Sequence, residues 1–332
     1  MDLFTRVEIP KSSIKIDHSS RLMTFGSCFS DNIGEKLLHS KFNLVHNPFG
    51  ILFNPASIEY AIRRLLRGDE FTTDELVINN GLFHSFMHHG SFSNSNEDDC
   101  LRHINSSFDV AKRFIRQTDV LIVTFGTAYI YRLKSNNMVV SNCHKFPSSY
   151  FVRERLTVDN IVDSWRQLIA NILEKNENLK ILFAVSPIRH LRDGAHDNQI
   201  SKSILHLSVD RLMHDFGDAV GYFPSYEIML DELRDYRFYD SDMLHPSDVA
   251  IEYIWGKFSD MFFSRETMEI IKEVEGIQKS INHRPIHKNT EIYRNFLYQT
   301  KDKLYNFASR NPSIDCTKEM QMLERLLQDF DK

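Results

Sequence analysis

Arg21-Leu22-Met23-Thr24-Phe25-Gly26-Ser27-Cys28-Phe29-Ser30-Asp31-Asn32-Ile33-Gly34 is the stretch that sets the fold. Leu22, Met23 and Phe25 suit a buried strand, Gly26 permits a sharp turn, and Ser30 is placed to cap a helix continued by Ile33, Leu37 and Leu38. That order puts Ser27 and Cys28 at the carboxyl end of the first strand, where open α/β sheets keep their ligand sites. A side chain there meets the unpaired amides of the following helix, which favour a thiolate or an oxyanion. Free cysteine is equally at home in a core. The segment therefore leaves three readings open: a functional Cys28, a functional Ser27, or a packing turn.

Working outward, the same arrangement recurs. Phe42-Asn43-Leu44-Val45 reads as a second strand and His46-Asn47-Pro48-Phe49-Gly50 as its exit turn. Asn54 and Pro55 then serve as N-cap and first residue of a helix with Ile58, Ala61, Ile62 and Leu65 on its apolar face. Val120-Leu121-Ile122-Val123-Thr124-Phe125 is short, apolar and rich in β-branched residues, the pattern of a strand buried on both sides. Gly126-Thr127-Ala128-Tyr129 leaves it as another candidate site loop. Residues 137–145 read as a short strand and loop, 179–185 and 220–223 as further core strands, and 97–117, 158–174 and 196–215 as helices. Alternating strands and helices predict an α/β fold.

Two segments depart from the alternation. Residues 71–96 read as an insertion, with a hairpin of Leu76-Val77-Ile78 and 82–86 across Asn80-Gly81. From Phe262 onward the pattern is helical, so an α/β domain over 1–260 is expected to carry a helical C-terminal extension over 261–332, covering one side of the sheet or forming a partner surface.

The 332 residues, 42% hydrophobic, are ample for such a core. A net charge of -5, from 40 Lys plus Arg against 45 Asp plus Glu, gives no basic excess to recommend nucleic acid. Residues 1–20 hold no apolar run of signal-peptide length, and nothing later reaches the roughly 18 apolar residues of a spanning helix. A cytoplasmic protein with no membrane partner is expected. Cys28, Cys100, Cys143 and Cys316 are widely spaced and read as free thiols. His84, His88 and His89 lack the compact carboxylate and histidine pattern of a metal centre, and read as a pocket-lining loop or as packing before metal; Cys143 and His144 read likewise as packing or pocket residues. No cofactor is expected. Arg189, leaving the 179–185 strand, suits either a clamp for an anionic group or a structural partner for an acid.

Asp242-Met243-Leu244-His245 lies in a polar, aromatic loop before a helix expected from about Ser247. An Asp can orient one imidazole nitrogen while the other takes a proton from a nucleophile. Taken together, these blocks resemble the GSCFA-domain family, a branch of the SGNH or GDSL-like hydrolase superfamily. The resemblance rests on Phe25-Gly26-Ser27-Cys28-Phe29-Ser30, His46-Asn47-Pro48-Phe49-Gly50, Gly126-Thr127-Ala128, Asn142-Cys143-His144-Lys145, Ser186-Pro187-Ile188-Arg189-His190 and Asp242-Met243-Leu244-His245-Pro246. It implies a three-layer α/β/α sandwich around a mostly parallel, flavodoxin-like sheet.

In the wider superfamily the opening block is Phe-Gly-Asp-Ser-Leu, whose serine is the nucleophile, and a late Asp-x-x-His supplies the orienting acid and the base. By that resemblance Cys28 holds the serine position, Ser27 the preceding aspartate position, and Asp242 and His245 the late pair; Ser27 is the alternative nucleophile. The oxyanion hole would use Gly50, while the middle Gly-x-Asn pattern begins at Gly126 and places Ala128 where the asparagine stands. Losing one such donor costs roughly 3 kcal/mol of transition-state stabilisation, and Asn47, Asn142 or a backbone amide is the expected substitute. The resemblance implies hydrolase or acyltransferase chemistry on a small-molecule or carbohydrate ester. The alternatives are a noncatalytic small-molecule or glycan-binding protein of the same fold, and an interaction protein using the helical tail.

Overall fold

Residue parity along the central strands sorts the helices onto two faces. A computed structural model describes residues 5–9, 12–287 and 290–328. The chain runs β1 (Arg21–Gly26), α1 (Cys28–His39), β2 (Asn43–His46) and α2 (Pro55–Arg67), then a hairpin of β3 (Leu76–Asn79) and β4 (Leu82–Ser85). α3 (Glu97–Ile115) leads into β5 (Val120–Phe125), followed by β6 (Tyr129–Leu133), β7 (Val139–Val140) and β8 (Phe151–Arg155). The alternation resumes with α4 (Val158–Lys175), β9 (Lys180–Val185), α5 (Gly194–Phe216) and β10 (Val220–Phe223). A short α6 (Ser225–Glu227) precedes α7 (Asp248–Phe262), α8 (Arg265–Ile281), α9 (Glu291–Arg310) and α10 (Thr317–Gln328).

The main sheet has the order β10-β9-β5-β1-β2, every pair parallel, as in flavodoxin-like folds. Met23, Phe25, Leu121, Val123, Phe125, Ile181 and Phe183 point to one face, where α2, α3, α4 and α5 cover them. Leu22, Val120, Ile122, Leu182 and Ala184 point to the other, under α1 and α7. The result is the expected three-layer sandwich. The strand order turns between β1 and β5, and Gly26 is in register with Thr124, so the exits of these two strands stand side by side at the switch point.

Two local readings are corrected. α1 begins at Cys28 with Ser27 in the N-cap position, so Ser30 is not the cap but lies buried in the first turn. The earlier start puts Phe29, Ile33 and Leu37 on one buried stripe at i, i+4, i+8. Residues 129–133 and 151–155, which show no strand pattern, form a small antiparallel sheet of order β7-β6-β8. Its central pairs set Ile130 against Glu154 and Tyr131 against Arg153, a mixed polar edge with little apolar periodicity.

The helical tail builds its own apolar cluster from Val274, Ile277, Leu297, Leu304, Phe307 and Leu323. It meets the sandwich at the carboxyl end of α1, where Gln278 donates to the His39 carbonyl at 2.8 Å and Lys41 pairs with Glu319 at 2.6 Å. No described helix is long and apolar enough to cross a membrane.

Two polar ties, one half-buried and one fully buried, position the sheet edge. His46, at the end of β2, reaches across β1 to α1: its Nε2 lies 2.7 Å from Asp31 Oδ1 and its Nδ1 2.7 Å from Thr24 Oγ1. The ring lies so close to α1 that a Cβ at Gly34 would stand 2.2 Å from it. On the other face Lys202 of α5 is fully buried, and its Nζ donates to the Gly126 carbonyl at 2.6 Å and the Ser186 carbonyl at 2.7 Å, joining the exits of β5 and β9. Burial drives this ammonium down to about 7.

Gly34→Ala, which in an open helix gains about 1 kcal/mol, is expected here to lose about 1–3 kcal/mol because the methyl overpacks against the imidazole. Urea unfolding of the two proteins gives the sign directly. Lys202→Met leaves two buried carbonyls unpaired and is expected to cost about 2 kcal/mol or more. Because the folded Lys202 sheds its proton near pH 7 and an unfolded lysine near about 10.4, the unfolded chain holds more protons in that window. Stability of the parent relative to Lys202→Met should therefore rise with pH across it, and a difference that shrinks on going to alkaline pH would contradict the buried-ammonium account.

Candidate active site

At the exit of β1 the chain turns into α1 through Ser27, whose extended backbone takes the N-cap position while its side chain caps no amide. The first-turn amides of α1 are thus left without a side-chain acceptor from Ser27. Ser27 is only 1% exposed, and its Oγ has no partner among the described residues. Cys28, the first residue of α1, is half-buried and unoxidised. Burial pushes its thiol above the ordinary range, its own backbone N–H pulls the other way, and the Asp31 carboxylate adds to the upward push. The helix amides therefore do not leave a standing thiolate, contrary to the expectation from the helix terminus alone.

Asp31 lies one turn after Cys28. Its Oδ1 accepts from His46 Nε2 at 2.7 Å and from Asn47 Nδ2 at 2.7 Å, and the His46 bond above all holds its carboxyl below the usual range. Thr24 Oγ1 accepts from the Asn47 amide at 3.3 Å and directs its own hydrogen to His46 Nδ1, leaving the Nε2 hydrogen to Asp31. Asn47 also accepts from the Gly26 amide at 3.1 Å. Its side chain is therefore a fastener for the β1 exit rather than a free oxyanion donor.

The late pair is assembled in the loop before α7. Asp242 Oδ1 accepts from the amides of Leu244 at 2.8 Å and His245 at 2.9 Å, while Oδ2 meets His245 Nδ1 at 2.5 Å. The turn depends on Met243 in the left-handed region, at φ 60°. These contacts, led by the His245 amide, hold the Asp242 carboxyl down at about 2. The Nδ1 hydrogen is thereby assigned to the carboxylate, and Nε2 is left as the basic nitrogen. Cys28, Phe238 and Tyr239 each pack against the large apolar cluster on the α1 and α7 face of the sheet, of which Ile188 is a member.

Other expected residues divide. Gly126 stands beside Ser27 and His190: a Cβ built on it would lie 3.4 Å from Ser27 Cβ and 3.5 Å from His190 Nε2. The Gly126 and Thr127 amides both donate to the Phe53 carbonyl, at 2.7 and 3.0 Å, and the Ala128 amide to Ser201 Oγ at 2.8 Å. The Gly50 amide is engaged in a turn with the Asn47 carbonyl at 2.7 Å, which corrects its expected role as a free donor. Asn142 fastens its own loop, donating its amide to the Phe86 carbonyl and accepting the His144 amide on its side chain. Arg189 lies over the Tyr239 ring at 5.4 Å rather than beside an acid.

The histidines of the insertion are mostly structural. His88 is buried, stacks on Phe49 at 4.7 Å and bonds Ser85 Oγ, and burial drives its imidazole down to about 3; His84 bonds Ser93 Oγ and the Asn79 carbonyl. Among the described residues no three His, Cys, Asp or Glu side chains are grouped to hold a metal ion. His89 is different: its amide bonds the Phe49 carbonyl, its ring accepts from the Ser91 amide, and it adds weakly to the field that lowers the Asp31 carboxyl. A cavity of about 850 Å³ between α2, α4 and the small sheet is lined by none of Ser27, Cys28, His190 or His245.

Roles for Asp31, His46, Lys202 and His190 are absent from the sequence reading. The spacing of Asp31, one helical turn after Cys28, is the one signal that finds it. The others are brought in from neighbouring strands and helices.

Residues 21–258 match the GSCFA family, and residues 274–329 match the GSCFA domain protein, C-terminal domain. No curated protein matches the chain. Among solved structures, the crystal structure of a candidate GDSL-like lipase from Parabacteroides merdae is similar at 16% identity with a TM-score of 0.39, over 76% of this chain and 98% of that one. With a match across most of its length that takes in Ser27, Cys28, Gly126, His190, Asp242 and His245, the chain belongs to the GSCFA family.

Proposed function

We propose that the chain is a hydrolase or acyltransferase acting on acyl esters, with Cys28 as nucleophile, His245 as base and Asp242 as the group that orients it. The observation that carries this reading is the Asp242–His245 pair, fixed through both carboxylate oxygens so that Nε2 is the proton acceptor. Since burial, with a smaller push from Asp31, raises the Cys28 thiol, the thiol needs such a base, and its proton moves to Nε2 as sulfur bonds to the acyl carbon. The ester C–O bond then breaks, and His245 returns the proton to the departing alcohol. Water, or a second alcohol, gives its proton to Nε2 and attacks the thioester; the Cys28 sulfur leaves and takes the proton back. The amides opening α1 face the negative oxygen at each step. An O-acyl carbohydrate is the substrate class favoured by the resemblance to carbohydrate esterases. The raised Cys28 thiol and Ala128 favour the second reading, a noncatalytic binding protein.

Intact-mass analysis after treatment with p-nitrophenyl acetate should show one acetyl group on the parent, none on Cys28→Ala, and one on Ser27→Ala. His245→Ala should slow its formation about 10²- to 10⁴-fold. Alkylation by iodoacetamide should speed up above neutral pH, and Asp31→Asn should raise its rate at pH 7 by removing the like charge. An adduct that follows Ser27 moves the nucleophile by one residue, whereas no adduct and a Cys28 inert to thiol reagents leave ligand binding as the function.

A further inference from the structure

The chain leaves β9 through Ser186-Pro187-Ile188-Arg189-His190, with its backbone pinned on both sides of Arg189. The Ile188 amide donates to Ser186 Oγ at 3.3 Å, the His190 amide donates to Asn198 Oδ1 at 2.9 Å, and the Ile188 side chain is buried. From this fixed point Arg189 reaches the loop that carries His245: its guanidinium carbon lies 5.4 Å from the centre of the Tyr239 ring. Tyr239 is itself tied to the base. It forms an antiparallel bridge with Pro246, the residue after His245, and the next amide, that of Asp240, donates to the His245 carbonyl at 2.8 Å.

No acid answers this cation. Among the described residues the Arg189 side chain has neither an ion pair nor a hydrogen bond. By contrast Arg153, whose charge acts on His190, is paired with Asp193. The acids of the facing loop are engaged elsewhere: Asp235 accepts from the Arg237 amide at 3.0 Å, Asp240 from the Ser241 amide at 2.6 Å, and Asp242 holds His245. Arg189 Nε is closed off from solvent, but its two terminal nitrogens are not, and the residue as a whole is half-buried. A ligand therefore meets the guanidinium through its terminal nitrogens, donors in a fixed plane that match the two oxygens of a carboxylate.

We propose that Arg189 determines specificity by binding a carboxylate on the alcohol part of the substrate, so that the ester cleaved is that of an acylated hydroxy acid or uronic acid. The acyl reaction is taken from the function proposed above; the anion site rests on the unpaired guanidinium. The alcohol part is assigned because Arg189 stacks on the loop of His245, the group that returns a proton to the departing alcohol. A carboxylate fits better than a dianion, since Asp240 and Asp242 in the facing loop oppose a second negative charge. As the Cys28 sulfur bonds to the acyl carbon, the C–O bond to the hydroxy acid breaks and its oxygen takes the proton from His245 Nε2. The carboxylate stays on Arg189 and keeps its charge throughout.

The test pairs 4-acetoxybenzoate with its neutral methyl ester and reads, by intact mass, the second-order rate constant for acetylation of Cys28 by each. The ratio of the two constants, carboxylate over methyl ester, should fall about 10-fold in Arg189→Ala, with part of it recovered in Arg189→Lys. In the parent the ratio should fall as salt rises from about 0.01 to 1 M, where the screening length drops from roughly 30 to 3 Å. A ratio unchanged by the substitution overturns the proposal, whether both reactions slow together, as for a merely structural stack, or neither does. A parent ratio that ignores salt overturns it without any variant. A larger loss in Arg189→Ala for 4-acetoxyphenyl phosphate than for 4-acetoxybenzoate overturns the carboxylate assignment. Should the parent form no adduct with either ester, the acyl reading fails alone: 4-hydroxybenzoate then still has to shift the Arg189 Nε–H resonance in ¹⁵N NMR, assigned through Arg189→Lys, and methyl 4-hydroxybenzoate must not. An unmoved resonance overturns the anion site as well.

Discussion

A fully buried ammonium with two carbonyl acceptors sets the geometry of the sheet edge. Lys202 has no carboxylate beside it among its hydrogen-bond partners; it holds the Gly126 and Ser186 carbonyls, and with them the exits of β5 and β9. Turning the Gly126 carbonyl toward α5 leaves the amides of Gly126 and Thr127 to face the Phe53 carbonyl, so one side chain and one carbonyl fix both ends of the loop. The arrangement is costly, because burying a charge opposes folding unless its hydrogen bonds are made. It also places a positive field next to His190 and so works against a second charge there.

The edge is thereby divided electrostatically. On the Cys28 side stands Asp31, ionised by its bonds to His46 and Asn47; on the Gly126 side stand Lys202 and Arg153. A thiol raised by burial, and further by a carboxylate beside it, is not ionised in advance, so any acyl chemistry at Cys28 would need a well-oriented base. A ligand lying along this edge would meet that gradient whether or not it reacts.

Local patterns made much of the fold legible. The continuous apolar run of β5, the Asn54 and Pro55 start of α2 and the Asn80-Gly81 hairpin each act within a few residues, and each is found where the pattern puts it. Helix starts governed by packing were less legible: Ser30 is a good capping residue, yet alignment of Phe29, Ile33 and Leu37 with the core outweighs a cap worth about 1 kcal/mol. The Ser27-Cys28 turn and the Asp242–His245 block could be identified because each is local in sequence. His46 and Lys202 could not, since a histidine ending a strand and a lysine within a helix normally face solvent. His46 becomes half-buried through the parallel register of β2 on β1, and Lys202 fully buried through the packing of α5 beneath β5 and β9.

The position of the helical tail follows from α1. This helix has 12 residues, about 18 Å of rise, with Cys28 at one end and the contacts to Gln278, Lys41 and Glu319 grouped just past the other. No residue of α8, α9 or α10 is among the partners of the groups around Cys28, His190 or His245 described above. The tail can act on the site through α1 and also through α7, because Met268 and Ile271 of α8 pack in the cluster that holds Ile254 and Phe258 of the helix following the His245 loop. His46 against Gly34 bears on α1 from inside the sandwich. Tail and imidazole thus both bear on the angle at which α1 presents its first turn to the sheet edge.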